Sequence, residues 1–169
     1  MSSRALAFQQ LVDVLEKQVQ ARRNALLLLI GQAGWGKTTL VNQLLHQLHA
    51  EVSQSPSYAF HLRSIGSGLI ADHWDLDRVT GAEDLESTGF TDWFSQFQRD
   101  SRGRHFSDQN ARPNLQESQT TQVAFIEWPG RLIESGLILD WTDLVDSSFG
   151  LLVVELKGPP NYEFEFRLL

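Results

Sequence analysis

The sequence has no cysteine, which excludes disulfides, thiolate metal sites and cysteine nucleophiles and fits a reducing compartment. It has no long hydrophobic run either: the longest, Ala25–Ile30, is far too short to cross a bilayer. The N-terminal stretch mixes polar and charged residues among its apolar ones, with no signal-peptide core and no small-residue cleavage site. A soluble cytoplasmic protein without membrane contact is therefore expected. Basic residues are scarce as well. The chain carries 14 Lys/Arg against 21 Asp/Glu, a net charge of −7. Residues 1–50 hold five Lys/Arg against two acids, net +3, and residues 51–169 hold nine against nineteen, net −10. A free-standing nucleic-acid binder needs a broad basic surface to neutralise phosphates. Any link to RNA is expected to run through a protein partner.

What is present suits one compact domain, since 169 residues with 41% apolar and 21% charged content can bury a core without staples. Residues from Ser3 to Arg22 read as an amphipathic helix with Leu6, Leu11 and Leu15 on one stripe and Phe8 and Val12 beside it. Ala25–Ile30 is continuously apolar, as a central parallel strand covered on both faces requires. Leu-rich sequence could equally be helical; the glycine-rich turn that begins at Gly31 decides for a strand. From Thr38 to His49 the pattern is helical, with Leu40, Val41, Leu44, Leu45 and Leu48 facing inward. Val52 to Ile70 reads as a loop with one or two strands. Ala82 to Gln98 reads as one helix whose apolar side carries Leu85, Phe90, Trp93, Phe94 and Phe97. Gln98 to Thr121 is polar, rich in Arg and Gln, and interrupted by Gly103 and Pro113, so residues 99–121 are expected to form a mobile surface insertion rather than a second domain. Val123–Ile126 gives another buried strand, and Leu151–Leu156 and Tyr162–Leu168 give a C-terminal pair around Lys157–Asn161. Strict alternation in Glu163–Leu168 gives that last strand one wet face.

Gly31–Gln32–Ala33–Gly34–Trp35–Gly36–Lys37–Thr38 matches G-x-x-x-x-G-K-[ST] between a buried strand and an amphipathic helix, the context a phosphate-binding loop needs. Glycines let backbone amides fold around a phosphate, and the helix that follows aims free N–H groups and its positive end at the same anion. In such a loop Lys37 reaches the β- and γ-phosphates and the Thr38 hydroxyl ligates Mg²⁺. A second acid must hold Mg²⁺ directly or through water, at the end of another apolar strand. Glu127 follows Val123–Ile126 directly and would emerge at the C-terminal edge of the sheet, where ligands bind. Asp75 follows a weaker apolar stretch at Gly68–Ala71, and the alternative for Asp75 and Asp77 is a solvated acidic turn. No guanine-reading Asn-Lys-x-Asp motif is present.

At these residues the chain resembles the TsaE family, also called YjeE. Gly31–Thr39 matches that family's phosphate loop apart from Trp35, and Ser55–Pro56–Ser57–Tyr58 matches its Ser-Pro-Thr-aromatic segment. His73, Asp75 and Arg78 match H-x-D-x-Y-R, the stretch Glu83–Phe94 matches the segment around its Leu-Gly pair, and Ile126–Glu127–Trp128–Pro129 matches outright. Trp35, Asp77 in place of tyrosine, and the 99–121 insertion are the departures.

The resemblance implies an α/β fold of the P-loop NTPase kind, a three-layer sandwich around a mostly parallel sheet with a C-terminal strand pair. It implies ATP and Mg²⁺ as ligands, with Gly31, Gly34, Trp35, Gly36, Lys37, Thr38, Thr39, Ser55 and Trp128 at the nucleotide and Thr38 and Glu127 at the metal. Lys37, Glu127 and Asp75 would carry hydrolysis, Asp75 by positioning water or completing the metal site, and Ser55 would lie in a segment that follows the nucleotide. Trp128 would pack near the nucleotide or serve as a core tryptophan. His73 is expected to be a structural hydrogen-bonding residue. The implied partners are TsaD and TsaB, with tRNA reached indirectly through that complex, which attaches threonylcarbamoyl to adenosine. Two competing readings remain: a small-molecule kinase, with Arg99, Arg102, Arg104 and Arg112 as lid arginines, and a nucleotide-dependent binding module with little hydrolysis.

Overall fold

The computed structural model describes residues 3–50, 60–66, 68–103, 120–146 and 148–169. Ser55 with its Ser-Pro segment, and residues 104–119 of the expected insertion, lie outside the described residues.

Six strands form one sheet in the order β2-β3-β4-β1-β5-β6. The central four, β3 (Leu69–Asp75), β4 (Thr121–Glu127), β1 (Asn24–Ile30) and β5 (Phe149–Leu156), pair in parallel. The two edges, β2 (His61–Gly66) and β6 (Phe164–Leu168), pair antiparallel to β3 and β5. Parallel strands covered on both faces need side chains apolar in both directions, and β1 and β4 meet that need, being buried almost throughout. Alternation divides the core. Leu27, Leu29, Phe125 and Val154 join the cluster that receives Leu11 and Leu15 of α1 (Ser3–Gln20) and Leu40 and Leu44 of α2 (Lys37–Gln47). Leu26, Leu28, Ile126 and Val153 join a second cluster with Leu85 of α3 (Ala82–Ser87), Phe90, Phe94 and Phe97 of α4 (Phe90–Gly103) and Leu132 of α5 (Gly130–Glu134). A mixed α/β domain with a mostly parallel sheet, compatible with a P-loop NTPase-like fold, is the result.

Several expectations change in detail. Leu6 is exposed, and the buried stripe of α1 is Leu11, Val12 and Leu15. The helix expected over Ala82–Gln98 is two helices that break at Gly89, and the second runs on to Gly103. Residues 99–103, read as the start of an insertion, are thus the last turn of α4. The stretch at Gly68–Ala71 is the beginning of a full strand that continues through Asp72 and His73 to Asp75. Between Pro129 and Phe149 the chain forms α5 and a 3-10 turn at Trp141–Leu144, whose capping box is made by Asp140 and Asp143.

Candidate functional site

β1, β3 and β4 all end at the same edge of the sheet, and the side chains with chemistry gather there. The loop after β1 turns through Gly34 (φ 78°) and Gly36 (φ 88°), a region that costs a residue with a Cβ about 1–2 kcal/mol. Open space surrounds Gly34, so the backbone conformation and not crowding demands glycine there. α2 begins at Lys37, and the N–H groups of its first turn have no partner within the helix. They point, with the positive end of the helix, at the concavity inside the loop.

Lys37 is 4% exposed. Its Nζ donates to the carbonyls of Gly31 (2.9 Å) and Gln32 (3.0 Å) and lies 4.0 Å from the ring centroid of Trp128. Burial lowers its pKa from the usual lysine value, and the carboxylates of Glu127, Asp75 and Asp77 pull it partly back. Trp128 reaches this position from a left-handed backbone, φ 58°, a conformation that costs a non-glycine residue of order 1–3 kcal/mol and clusters at functional sites. The turn is fixed by Leu76 N–H donating to Glu127 O (3.2 Å) and Arg131 N–H donating to Trp128 O (3.0 Å).

Glu127 ends β4 and is 3% exposed. Thr38 Oγ1 donates to its Oε1 at 2.7 Å, and His73 Nε2 lies 2.9 Å from the same oxygen. A hydroxyl has one hydrogen and two lone pairs. With the hydrogen committed to Glu127, the lone pairs of Thr38 are left for another partner. Asp75 ends β3 in register with Glu127. Burial pushes its carboxyl above the ordinary aspartate value; the Asp77 N–H that it accepts opposes this, and the Glu127 and Asp77 charges add to it. Asp75 is therefore part of the edge and not a solvated turn. Asp77 is exposed, as an acidic turn requires, although its carbonyl accepts from Arg131 Nη2 (3.1 Å).

Trp35 packs toward the turn between β5 and β6, its indole lying against Gly31 and covering Gly158 in that turn. Two cavities flank the loop. One, about 490 Å³, opens between Gly31, Gln32 and Trp35 on one side and Trp128, Trp141 and Glu155 on the other. The other, about 660 Å³, lies between α1 and α2, lined by Arg4, Phe8, Thr39, Asn42, Gln43 and His46.

The metal question turns on donor chemistry. Among the described residues no group of three His, Cys, Asp or Glu could hold an ion by itself. A Mg²⁺ that arrives with a nucleotide needs only one or two protein oxygens, the rest being phosphate and water. Thr38 and Glu127 are hard oxygen donors of that kind, and they are already in contact.

Of the arginines weighed as a lid, the two described ones do not serve this edge. Arg99 bonds Gln96, and Arg102 pairs with Asp146 at 2.9 Å, beside the start of β5 and hence at the opposite edge from Lys37. Arg104 and Arg112 lie outside the described residues. The sequence reading also missed Arg131, which ties α5 to the Asp75–Asp77 turn, and the buried carboxylate of Asp72 on β3. No spacing pattern marks either one.

No described helix is long and apolar enough to cross a membrane, and no curated protein matches the chain. The family model described as threonylcarbamoyl adenosine biosynthesis protein TsaE matches residues 3–100. That span runs from α1 through the phosphate loop and Asp75 into the last turn of α4. Glu127 and Trp128 lie beyond it, and their place in the site rests on the contacts with Thr38 and Lys37. With more than half of its length matched, the chain belongs to the TsaE family and has a role in threonylcarbamoyladenosine modification of tRNA.

Proposed function

We propose that residues 1–169 form a single-domain ATPase of the P-loop three-layer type that supports the TsaB–TsaD complex in the cytoplasm and reaches tRNA only through that complex. The observation that carries this reading is the 2.7 Å bond from Thr38 to Glu127, which joins the phosphate loop to the strand-end acid across two parallel strands. Gly31, Gly34, Trp35 and Gly36 lend backbone to the phosphate cradle, and the groove beside Thr39 offers room for the rest of the nucleotide. Lys37, whose hydrogens are now directed at two carbonyls and an indole, would turn them to the β- and γ-phosphates. Ser55 is assigned to the nucleotide by family likeness alone, and Trp128 by its contact with Lys37.

Thr38 and Glu127 would hold Mg²⁺, which neutralises charge on the phosphate oxygens when bound. Asp75 is suited to orient and deprotonate the attacking water. Its burial and its neighbouring carboxylates raise its proton affinity above that of a free aspartate, and that makes it a better base. Threonylcarbamoyl transfer itself belongs to the partners; nucleotide turnover here would reset them.

The test is phosphate release from Mg²⁺-ATP by purified Lys37→Ala and Glu127→Ala variants, with and without TsaB–TsaD. Each should lose on the order of a hundredfold in rate with an unchanged circular dichroism spectrum. Normal turnover by either folded variant would overturn the reading. A rate and nucleotide affinity indifferent to TsaB–TsaD would remove the partner assignment. Among the described residues, a kinase reading draws on the cavity beside Gly31 and Trp128. Phosphorylation of an alcohol or nucleoside acceptor would establish it.

A further inference from the structure

One carboxylate oxygen gathers three elements. Thr38 from α2 and His73 from β3 both meet Oε1 of Glu127 on β4. Among the described residues Oε2 accepts no hydrogen bond. His73 and Glu127 are 2% and 3% exposed, so their bond lies where few waters compete and electrostatic attraction is strong. A carboxylate accepts and cannot donate, so the shared hydrogen resides on Nε2, and a neutral imidazole suffices. His73 meets the site through Glu127. Its strand position, directly opposite Phe125 and two residues before Asp75, backs the Glu127 carboxylate from the β3 side and turns it toward Thr38. Thr38 then has an acceptor for its hydrogen, and its lone pairs are left for another partner.

We propose that His73 is a positioning residue for divalent-cation binding: its Nε2–H fixes the Glu127 carboxylate, which in turn orients the Thr38 hydroxyl toward the cation. This rests on the reading of Thr38 and Glu127 as the cation site. It separates two affinities. Without His73, Glu127 keeps one donor of two and leaves its rotamer, so the cation is held less well. The amide groups and Lys37, which grip the phosphates, are untouched.

The experiment is calorimetric titration of ATP into protein in EDTA, followed by titration of Mg²⁺ into the ATP-loaded protein, for wild type, His73→Leu and His73→Gln. His73→Leu should weaken the Mg²⁺ half-saturation by about tenfold to a hundredfold, the size of effect typical when the partner of a metal ligand is removed. ATP affinity in EDTA should stay within twofold of wild type. His73→Gln keeps an N–H donor and should recover most of the loss. In a Glu127→Gln background, His73→Leu should add nothing. The proposal is overturned if His73→Leu leaves Mg²⁺ binding unchanged, or weakens metal-free ATP binding as much as metal binding. If His73→Leu does not fold, the Gln variant decides: Mg²⁺ binding near wild type supports the proposal, and a full loss overturns it. Wild-type protein that binds ATP but shows no Mg²⁺ dependence overturns the cation-site reading itself.

Discussion

Trp35 stands at a loop position where a family of phosphate binders carries a small side chain, and its ring is accommodated by two glycines. The indole rests on Gly31 and covers Gly158, where an added Cβ would collide with the indole nitrogen. Because the ring packs on Gly158, Trp35→Ala should leave ATP affinity within about threefold of wild type. The protein should lose about 1–3 kcal/mol of stability, less than a fully buried tryptophan would cost because the ring is only partly buried. Gly158→Ala, which keeps Trp35 but displaces it, should cost a similar about 1–3 kcal/mol by overpacking. In the Trp35→Ala background that penalty should vanish, since the two residues are in contact. Denaturant unfolding of the four proteins measures this cycle. A loss of ATP binding beyond tenfold in Trp35→Ala would instead put the ring inside the phosphate site. The loop itself was legible in the sequence because its spacing is local. The direction of the indole was not, because its partner Gly158 arrives from the far end of the chain.

At the scale of elements, the separation of α3 from α4 rests on one residue. Gly89 has φ 79° and open space around it. Its N–H donates to Glu86 O (2.9 Å) to close α3, and its carbonyl accepts from Trp93 N–H (3.1 Å) to open α4. Thr88 Oγ1 completes the corner by donating to Leu85 O (2.7 Å) and accepting from Phe90 N–H (3.2 Å). Gly89→Ala should therefore cost about 1 kcal/mol through backbone strain alone, lowering Tm by about 2–4 °C in a domain of this size. Gly89→Asn should cost less. Thermal unfolding checks both, and an alanine variant as stable as wild type would mean the corner tolerates an ordinary residue. Apolar periodicity runs straight across this break, with Leu85, Phe90, Trp93, Phe94 and Phe97 all meeting one cluster, which is why a single helix was the natural expectation. The buried strands β1, β4 and β5 were legible for the same reason that makes them central: each carries an apolar run of at least four residues. β3 was only half legible, because Asp72 and His73 sit in its interior and are satisfied by side chains from other strands.

For the molecule as a whole, the buried carboxylate of Asp72 joins one edge of the sheet to its centre. It accepts from His61 Nε2 (2.6 Å) and Arg63 Nε (2.8 Å) on β2 and from Gln122 Nε2 (2.6 Å) on β4. The face of His61 stacks on Trp74, with ring centroids 4.2 Å apart. Asp72 is fully buried. Burial alone would raise its pKa, but hydrogen bonds from His61, Arg63 and Gln122, with the Arg63 charge, together hold it below the ordinary value of 3.8. A carboxyl whose folded pKa is depressed contributes stability above its unfolded pKa and loses it as pH falls through the folded one. The contribution of Asp72 is thus complete at neutral pH and fades only below about pH 4. Asp72→Asn should lower stability at pH 7 by about 1–3 kcal/mol, because asparagine keeps one acceptor oxygen but loses the second oxygen and the charge that meet the half-exposed Arg63 and Gln122. The same variant should flatten the fall of stability on acidification below that pH, since the group responsible no longer titrates. Urea unfolding of both proteins at a series of pH values from neutral to acid checks the two effects together. An acid slope unchanged by the substitution would show that another carboxylate governs the acid transition. A small loss at neutral pH would show that β2 holds to the sheet through its backbone ladder with β3 alone.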